Sequence, residues 1–402
     1  MLLFITLVSG LYPAIYITSF KPINILKGNQ QIGSKSLLTS VLLTFQFTLA
    51  IISIVTGVAF VQTNYINANR DWGYTSADKI IVNVPSSQDY IPPKNKLSAL
   101  ASVTEIIGSQ DFVGNWIREE EIVFQDEKYE ISLLNAEATY PELLYLKLKE
   151  GRMFNPELIS DTQESILVNE AFLDRLGLSF PVDEKITIDS ASYAVVGVVE
   201  DFHTVFFQMS IEPMAIIASP DTTFNYLTLK MTPGTAASSM QAVKKIWHET
   251  IPRGLFEGKL QTEVFDHEFN DVTGVSNILL FSAILAVVLA ALGLFGLVSL
   301  NMNSRIKDFC VRKVFGADLG DLSMKLAKRY LIIWGIASLL GGGLSIVLVS
   351  TFLNSFFAFH SGVGVIPLGL GLLVLFLVIA GTVSSQIWKI VRANPATILK
   401  AE

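Results

Sequence analysis

Val272-Thr-Gly-Val-Ser-Asn-Ile-Leu-Leu-Phe-Ser-Ala-Ile-Leu-Ala-Val-Val-Leu-Ala-Ala-Leu-Gly-Leu-Phe-Gly-Leu-Val-Ser-Leu-Asn-Met-Asn-Ser304 is a stretch without one charged side chain. A helix needs only ~20 such residues to cross the ~30 Å hydrocarbon core of a bilayer, since each residue advances it ~1.5 Å. The property recurs: Met1–Phe20, Ser36–Asn69 and Tyr330–Trp388 are also uncharged, and the last is long enough for two crossings. Five candidate spans follow. A soluble fold rarely needs so many helices that are apolar all round, whereas in lipid a helix satisfies its own backbone groups. A mean hydropathy of +0.49 agrees with the membrane reading. Met1–Phe20 has neither a basic leader nor an A-x-A-like end, so it reads as a span and not as a cleaved signal peptide.

Lys and Arg in the short loops give the orientation. Lys21, Lys27 and Lys35 follow the first span. Arg305, Lys307, Arg312, Lys313, Lys325, Lys328 and Arg329 separate the third from the fourth, and Lys389, Arg392 and Lys400 follow the fifth. The turn Asn354–Val365 has none. Because cytoplasmic loops retain cations, the first three segments are expected inside, with the C-terminus, and the turn outside together with Gln62–Gly274. That exterior segment holds 16 Lys and Arg against 32 Asp and Glu, a net −16, while the remainder is net +9. An acidic exterior argues against nucleic acid and anionic lipid as its partners. Cys310, the sole cysteine, falls on the cytoplasmic side, so no disulfide staples the exterior.

The exterior segment alternates like strands at Lys79–Val84, Glu121–Leu134, Ser165–Val168, Lys185–Ile188, Ala194–Val199 and Tyr226–Met231. Helical patterns fall at Tyr140–Leu146, Glu170–Leu176 and Thr235–Thr250, giving a mixed α+β domain of two lobes. The cytoplasmic segment after the third span is expected to run on as helix through Arg305–Phe315, break at Gly316, and restart with Asp318 as cap. Gly293, Gly296 and Gly341-Gly342-Gly343 are small residues that let membrane helices approach closely. Pro22-Ile-Asn-Ile-Leu-Lys27 recurs as Pro395-Ala-Thr-Ile-Leu-Lys400, each time just after an apolar span. Residues 1–28 therefore read as the tail of a preceding, similar unit.

Enzymatic chemistry is sparsely signalled. The sequence has no G-x-x-x-x-G-K-[ST] loop to cradle ATP phosphates. Ser76-Ala-Asp-Lys79 satisfies S-x-x-K but lacks the companion serine-acylase motifs and reads as a turn. Glu200, Asp201 and His203 offer potential metal ligands without a second histidine at ligand spacing, which favours structural hydrogen bonding. His267 sits in Asp-His-Glu, not H-E-x-x-H, and no ionisable residue interrupts a span, which disfavours ion-coupled transport. No cofactor is expected.

Several strings resemble the MacB/FtsX family of ABC transporter permeases. Gly151-Arg-Met-Phe154, Ser160-Asp161, Asn169-Glu170-Ala171 and Gly177 are similar to that family's G-R-x-F, S-D, N-E-A and G segment. Val196-Gly-Val-Val-Glu-Asp201-Phe202-His203 with Glu212-Pro213 resembles its G-V-V-x-D-F-H and P segment. Val311-Arg312-Lys313-Val-Phe-Gly316-Ala317 resembles the I-R-K-V-L-G-A elbow, and Ala393-Asn394-Pro395 the A-N-P terminus. Tyr12-Pro13-Ala14 and Phe20-x-Pro22 match the end of the first half in tandem members. Asp308-Phe309-Cys310 departs from the usual E-I-G, and the triple glycine stands where a proline is common.

The resemblance implies an α-helical membrane protein with a large extracytoplasmic α+β domain, one four-span FtsX-like unit preceded by one extra span. Its parts are expected at 1–28 (the preceding unit's tail), 29–70 (first span and exit helix), 71–274 (MacB-like core domain) and 275–402. The last holds spans near 277–300, 330–353 and 366–388 and a coupling elbow over 305–328. The implied role is mechanotransmission in a bacterial inner membrane: a separate ATPase subunit binds the elbow at Arg312, Lys313, Gly316, Ala317 and Asp318, and its closure reaches residues 62–275 in the periplasm. A second permease unit as dimer partner, and a periplasmic partner, are further implications. The alternative is an FtsX-like transducer that moves no substrate and regulates a periplasmic partner such as a cell-wall hydrolase.

Overall fold

The computed structural model describes residues 37–86, 89–206, 209–219, 224–303 and 319–391. Among them four helices are long and apolar enough to cross a membrane: α1 (Leu37–Ala68) and, much later in the chain, Asp266–Asn303, Leu319–Phe356 and Val365–Val391. The fifth expected span, in residues 1–28, lies outside the described residues. Two compact units divide the chain. One takes its helices from residues up to Phe60, Ser276–Thr351 and Gly362 onward; the other comprises Val61–Val275 and Phe352–Ser361.

The second unit builds, in order, β1 (Lys79–Asn83), α2 (Ile91–Leu97), β2 (Val103–Ser109), β3 (Glu119–Phe124), β4 (Glu127–Ala136), α3 (Tyr140–Leu143), β5 (Leu148–Gly151) and α4 (Ile159–Gln163). There follow β6 (Ser165–Asn169), α5 (Glu170–Leu176), β7 (Ile186–Ile188), β8 (Ala191–Val199), β9 (Met214–Ala218), β10 (Tyr226–Met231), α6 (Ala236–Thr250) and β11 (Gly258–Leu260). The three later membrane helices are α7 (Asp266–Asn303), α8 (Leu319–Phe356) and α9 (Val365–Val391).

The strands divide into two groups. β11, β1, β10 and β2 form an antiparallel ribbon whose covered face packs on α2 and α6 through Leu97, Val243 and the fully buried Trp247. Six of the remaining seven strands close a ring in the order β4, β3, β7, β8, β6, β9 and back to β4, and β5 pairs with β8 off that path. Closure depends on β4 dividing its length: Glu127–Ser132 pairs antiparallel with β3, and Ser132–Ala136 pairs parallel with β9. The ring interior is filled by Phe124, Ile131, Ile166, Val168, Phe172 and Val198. A single pair, Ser109 with Ala136, joins ribbon to ring.

Tight turns connect the ring strands. Gln125 and Asp126 both have positive φ, 51° and 64°, as do Asp189 and Ser190, 49° and 69°. Such two-residue turns match the twist of antiparallel strands. They also correct one expectation: Glu121–Leu134 alternates like a single strand but is a hairpin, β3 and β4, folded at Gln125-Asp126. Elsewhere the expected alternation at Ser165–Val168 and Tyr226–Met231 coincides with β6 and β10, and the expected helix at Thr235–Thr250 with α6.

In the helical unit α1 packs against the other three helices. A Cβ at Gly341 would stand 3.0 Å from Ile51 Cβ, one at Gly371 3.1 Å from Val55, and one at Gly293 2.7 Å from the Gln46 amide. Small residues thus allow α8, α9 and α7 to approach α1 closely. All three glycines of Gly341–Gly343 are helical, so the triplet causes no break.

Candidate functional site

The residues expected to carry function, Arg312, Lys313, Gly316, Ala317 and Asp318, lie outside the described residues. The resemblance-bearing strings of the exterior domain are described, and they fall into two structural classes.

The first class holds the ring together. Asp161, fully buried, accepts a bidentate pair from Arg152, with Nη2 to Oδ1 at 2.8 Å, and also the Asn155 amide at 2.8 Å. The Arg152 guanidinium holds this carboxyl below its usual range. Asn169 Oδ1 accepts from Phe172 N at 3.0 Å, capping α5, and from Met214 N at 2.9 Å, while Nδ2 donates to Glu212 O at 2.9 Å. One amide side chain thereby ties β6, α5 and β9. Gly177, at φ 66°, closes α5 in the left-handed conformation.

The second class converges on the segments where the membrane helices leave and re-enter this unit. Asp201 Oδ1 accepts from Ala171 N at 3.0 Å, so the carboxylate anchors α5. Phe202 is buried in the core between ring and ribbon. His203 N donates to Trp72 O at 2.8 Å, and the imidazole, only 4% exposed, stands edge-on to the rings of Trp72 (5.6 Å) and Phe359 (5.0 Å). Trp72 stacks on Phe265 at 4.5 Å and meets Phe269 at 6.2 Å, and Phe206 closes on both phenylalanines. The Arg70 guanidinium covers the Phe359 ring at 3.9 Å, and Asn67 Nδ2 donates to Phe359 O at 3.0 Å. Asn64 Nδ2 donates to Thr273 Oγ1 at 3.0 Å.

Three separate chain segments meet here: the exit end of α1, the entry end of α7, and Phe352–Ser361, which is the last turn of α8 with the residues that follow it. Gly73, at φ 80°, permits it: a Cβ there would lie 2.6 Å from Asp201 O and 2.7 Å from Phe202 Cβ. Burial, and secondly the Arg70 charge, push the His203 imidazole down to about 4. The imidazole is therefore a neutral packing element at neutral pH. Sequence reading singled out His203 but missed Trp72, Phe265 and Phe359; the available signal was aromatic density at the ends of apolar runs.

The other sequence candidates are placed elsewhere. His267 pairs with Asp271 at 3.1 Å on exposed helix surface. Lys79, buried in β1, donates Nζ to Thr75 O at 2.7 Å and Ala77 O at 3.3 Å, which occupies the S-x-x-K lysine structurally. Burial, then the charge of Lys230 opposite it, lowers it to about 8.

Residues 40–246 match the family model of the MacB-like periplasmic core domain, and residues 280–395 match that of the FtsX-like permease C-terminal region. The chain belongs to the MacB/FtsX family of ABC transporter permeases. As a MacB/FtsX permease it is a multi-pass membrane protein with an extracytoplasmic-type α+β domain. Solved structures similar to part of this MacB/FtsX chain include the periplasmic region of MacB from Actinobacillus actinomycetemcomitans, 14% identical with a TM-score of 0.37, covering 49% of this chain and 95% of that one. The extracellular domain of the noncanonic ABC-type transporter YknZ from Gram-positive bacteria is 10% identical with a TM-score of 0.36, covering 45% and 99%. A domain of a putative permease protein from Porphyromonas gingivalis is 13% identical with a TM-score of 0.34, covering 46% and 89%. No curated protein sequence matches the chain.

Proposed function

We propose that this permease is the mechanotransmission subunit of an ABC system, coupling ATP hydrolysis on a separate subunit to export or release of a substrate at the outer face of a bacterial inner membrane. One observation supports this reading most: Trp72, His203, Phe265 and Phe359, with Arg70, weld the ends of three membrane helices into the exterior domain through ring stacking and buried contacts. Packed aromatic clusters transmit displacement because they resist compression and offer few alternative rotamers. Helix-end movement would therefore be passed to the ring rather than absorbed.

In this proposal the division follows the charges. Residues 62–275 are periplasmic, and the basic segment 305–328 and the C-terminus are cytoplasmic. Arg312 and Lys313 are the cations that pair with carboxylates on the ATPase, and Gly316, Ala317 and Asp318 form the bend that seats it. The working form is a pair of permease units.

Co-purification with the cognate ATPase tests the first half of the coupling. Arg312→Glu with Lys313→Glu is expected to abolish ATPase binding, whereas Trp72→Ala is expected to preserve it and to lose the exterior output. ATPase binding that is indifferent to both charge reversals would refute the elbow. Full export by Trp72→Ala would refute the joint.

A further inference from the structure

Within the helical unit a groove of about 670 Å³ runs between the first turns of α1 and the middle of α8. Its character changes along its length. Ser40, Thr44, Lys328 and Arg329 form one end, and Ile332, Ile336 and Leu340 continue from it. The polar end is organised: Arg329 Nη2 donates to Ser40 Oγ at 3.0 Å, joining the two helices, and Thr44 Oγ1 donates to Ser40 O at 2.8 Å. A guanidinium carries five N–H donors, so one bond to Ser40 leaves most of them for a ligand. Among the described residues neither Lys328 nor Arg329 pairs with a carboxylate.

The apolar part has the dimensions of one leaflet. Ile332, Ile336 and Leu340 follow Arg329 at spacings of three and four, so they share one helix face, and each is about half exposed. From Arg329 to Leu340 the helix advances ~16 Å at ~1.5 Å per residue. Half of a ~30 Å hydrocarbon core is ~15 Å. A chain lying on this stripe would reach the bilayer midplane as its head reached the cations.

We propose that this groove binds an anionic glycerophospholipid, its phosphodiester held by Lys328, Arg329 and Ser40 and one acyl chain laid on the Ile332–Leu340 stripe. The assignment rests on the topology proposed above, which puts the rim at the cytoplasmic face. Lysine and arginine bind phosphate oxygens by charge-assisted hydrogen bonds, and basic pockets between spans on that side suit anionic headgroups. Lipid tails are as apolar as isoleucine, so the stripe adds contact but little selectivity. Discrimination therefore comes from head charge. A phosphate on Ser40 and Arg329 would also bridge α1 to α8, fixing their spacing at the rim.

Native mass spectrometry of the full chain, exchanged into equal amounts of phosphatidylglycerol and phosphatidylcholine with matched acyl chains, tests this. The wild-type chain should retain the anionic lipid roughly twenty-five-fold over the zwitterionic one, since each of the two cations near an anionic head contributes a factor of about five. Lys328→Gln with Arg329→Gln should bring the ratio near parity, and Leu340→Trp should lower retention of both lipids. Equal retention by the wild-type chain, which needs no variant, overturns the proposal. So does a preference unchanged in the double variant, or a Leu340→Trp chain that changes its dimer fraction while keeping its lipid, which would assign the groove to a second copy. Labelling Cys310 in intact cells with a membrane-impermeant maleimide separates the two layers. Labelling from outside refutes the topology and leaves the lipid ratio as an independent result.

Discussion

Trp72 lies flat on Phe265, with ring centroids 4.5 Å apart and planes 14° from parallel. The two residues belong to the segment leaving α1 and the segment entering α7, so a single stack clamps the outgoing and returning chain. Replacing the indole by alanine removes the stack and its edge contacts with Phe269 and His203. Trp72→Ala should cost about 2–3 kcal/mol, combining lost burial and ~1 kcal/mol of ring pairing, and Trp72→Phe less than half of that. Guanidinium unfolding of the purified chain measures both.

His203 makes stability depend on pH. Its folded value, about 4, lies below the ~6.5 of an unfolded histidine, so above about pH 7 the ring is neutral in both states. As pH falls from about 6.5 towards 4 the unfolded chain takes up a proton that the folded chain refuses. Stability should decline across that window by up to about 3 kcal/mol. His203→Gln should flatten the decline between pH 6.5 and 4.5; an equally steep profile in the variant would mean that other groups carry it.

The Arg152 and Asp161 pair titrates lower. Because Arg152 depresses the carboxyl, its contribution is complete above about pH 4 and is lost as pH falls through the folded value. Arg152→Ala leaves a buried carboxylate with only neutral donors. A loss on the order of 2 kcal/mol is expected at pH 7, modest because the arginine is half exposed. Thermal melting of the two chains side by side provides the comparison.

Asn169→Ala strands three backbone groups at once, the buried Phe172 N and Met214 N and the partly buried Glu212 O. The expected cost is about 2–4 kcal/mol, more than a helix cap alone, which accounts for ~1 kcal/mol. Asn169→Asp should recover the two acceptor bonds and lose only the donor. Hydrogen exchange at Phe172 and Met214 would separate a lost cap from a lost β9 tether.

Gly73→Ala tests whether the joint depends on close backbone approach. Its φ of 80° and the proximity of Asp201 O exclude a side chain without movement of the Asp201–His203 segment. The variant should fold its ribbon and ring yet show altered fluorescence of Trp72. An unchanged spectrum and melting temperature would count against the tight contact.

The membrane helices were legible because charge exclusion over twenty or more residues has few other causes. The ring was partly legible. Glu170–Leu176 was legible from its helical pattern, and the structure adds an Asn169 cap and a left-handed Gly177 at its end. Met214–Ala218 escaped because β9 is buried on both faces between β4 and β6, so Met-Ala-Ile-Ile-Ala shows no alternation. The β3 and β4 turn escaped because Gln125-Asp126 adopts a backbone usually announced by Asn-Gly. The joint escaped for another reason: Trp72, Phe265 and Phe359 are distant in sequence, and nothing in one segment names its partners.

The strand order has a consequence for molecules crowded side by side in a bilayer. Ring closure occupies both sides of β6, β8 and β9, and β11 of three residues and β5 of four are short, whereas the seven-residue β2 meets the ring only at Ser109. Neighbouring copies concentrated in two dimensions thus find β6, β8 and β9 closed to them, and the free side of β2 is the ladder on which an added strand would pair.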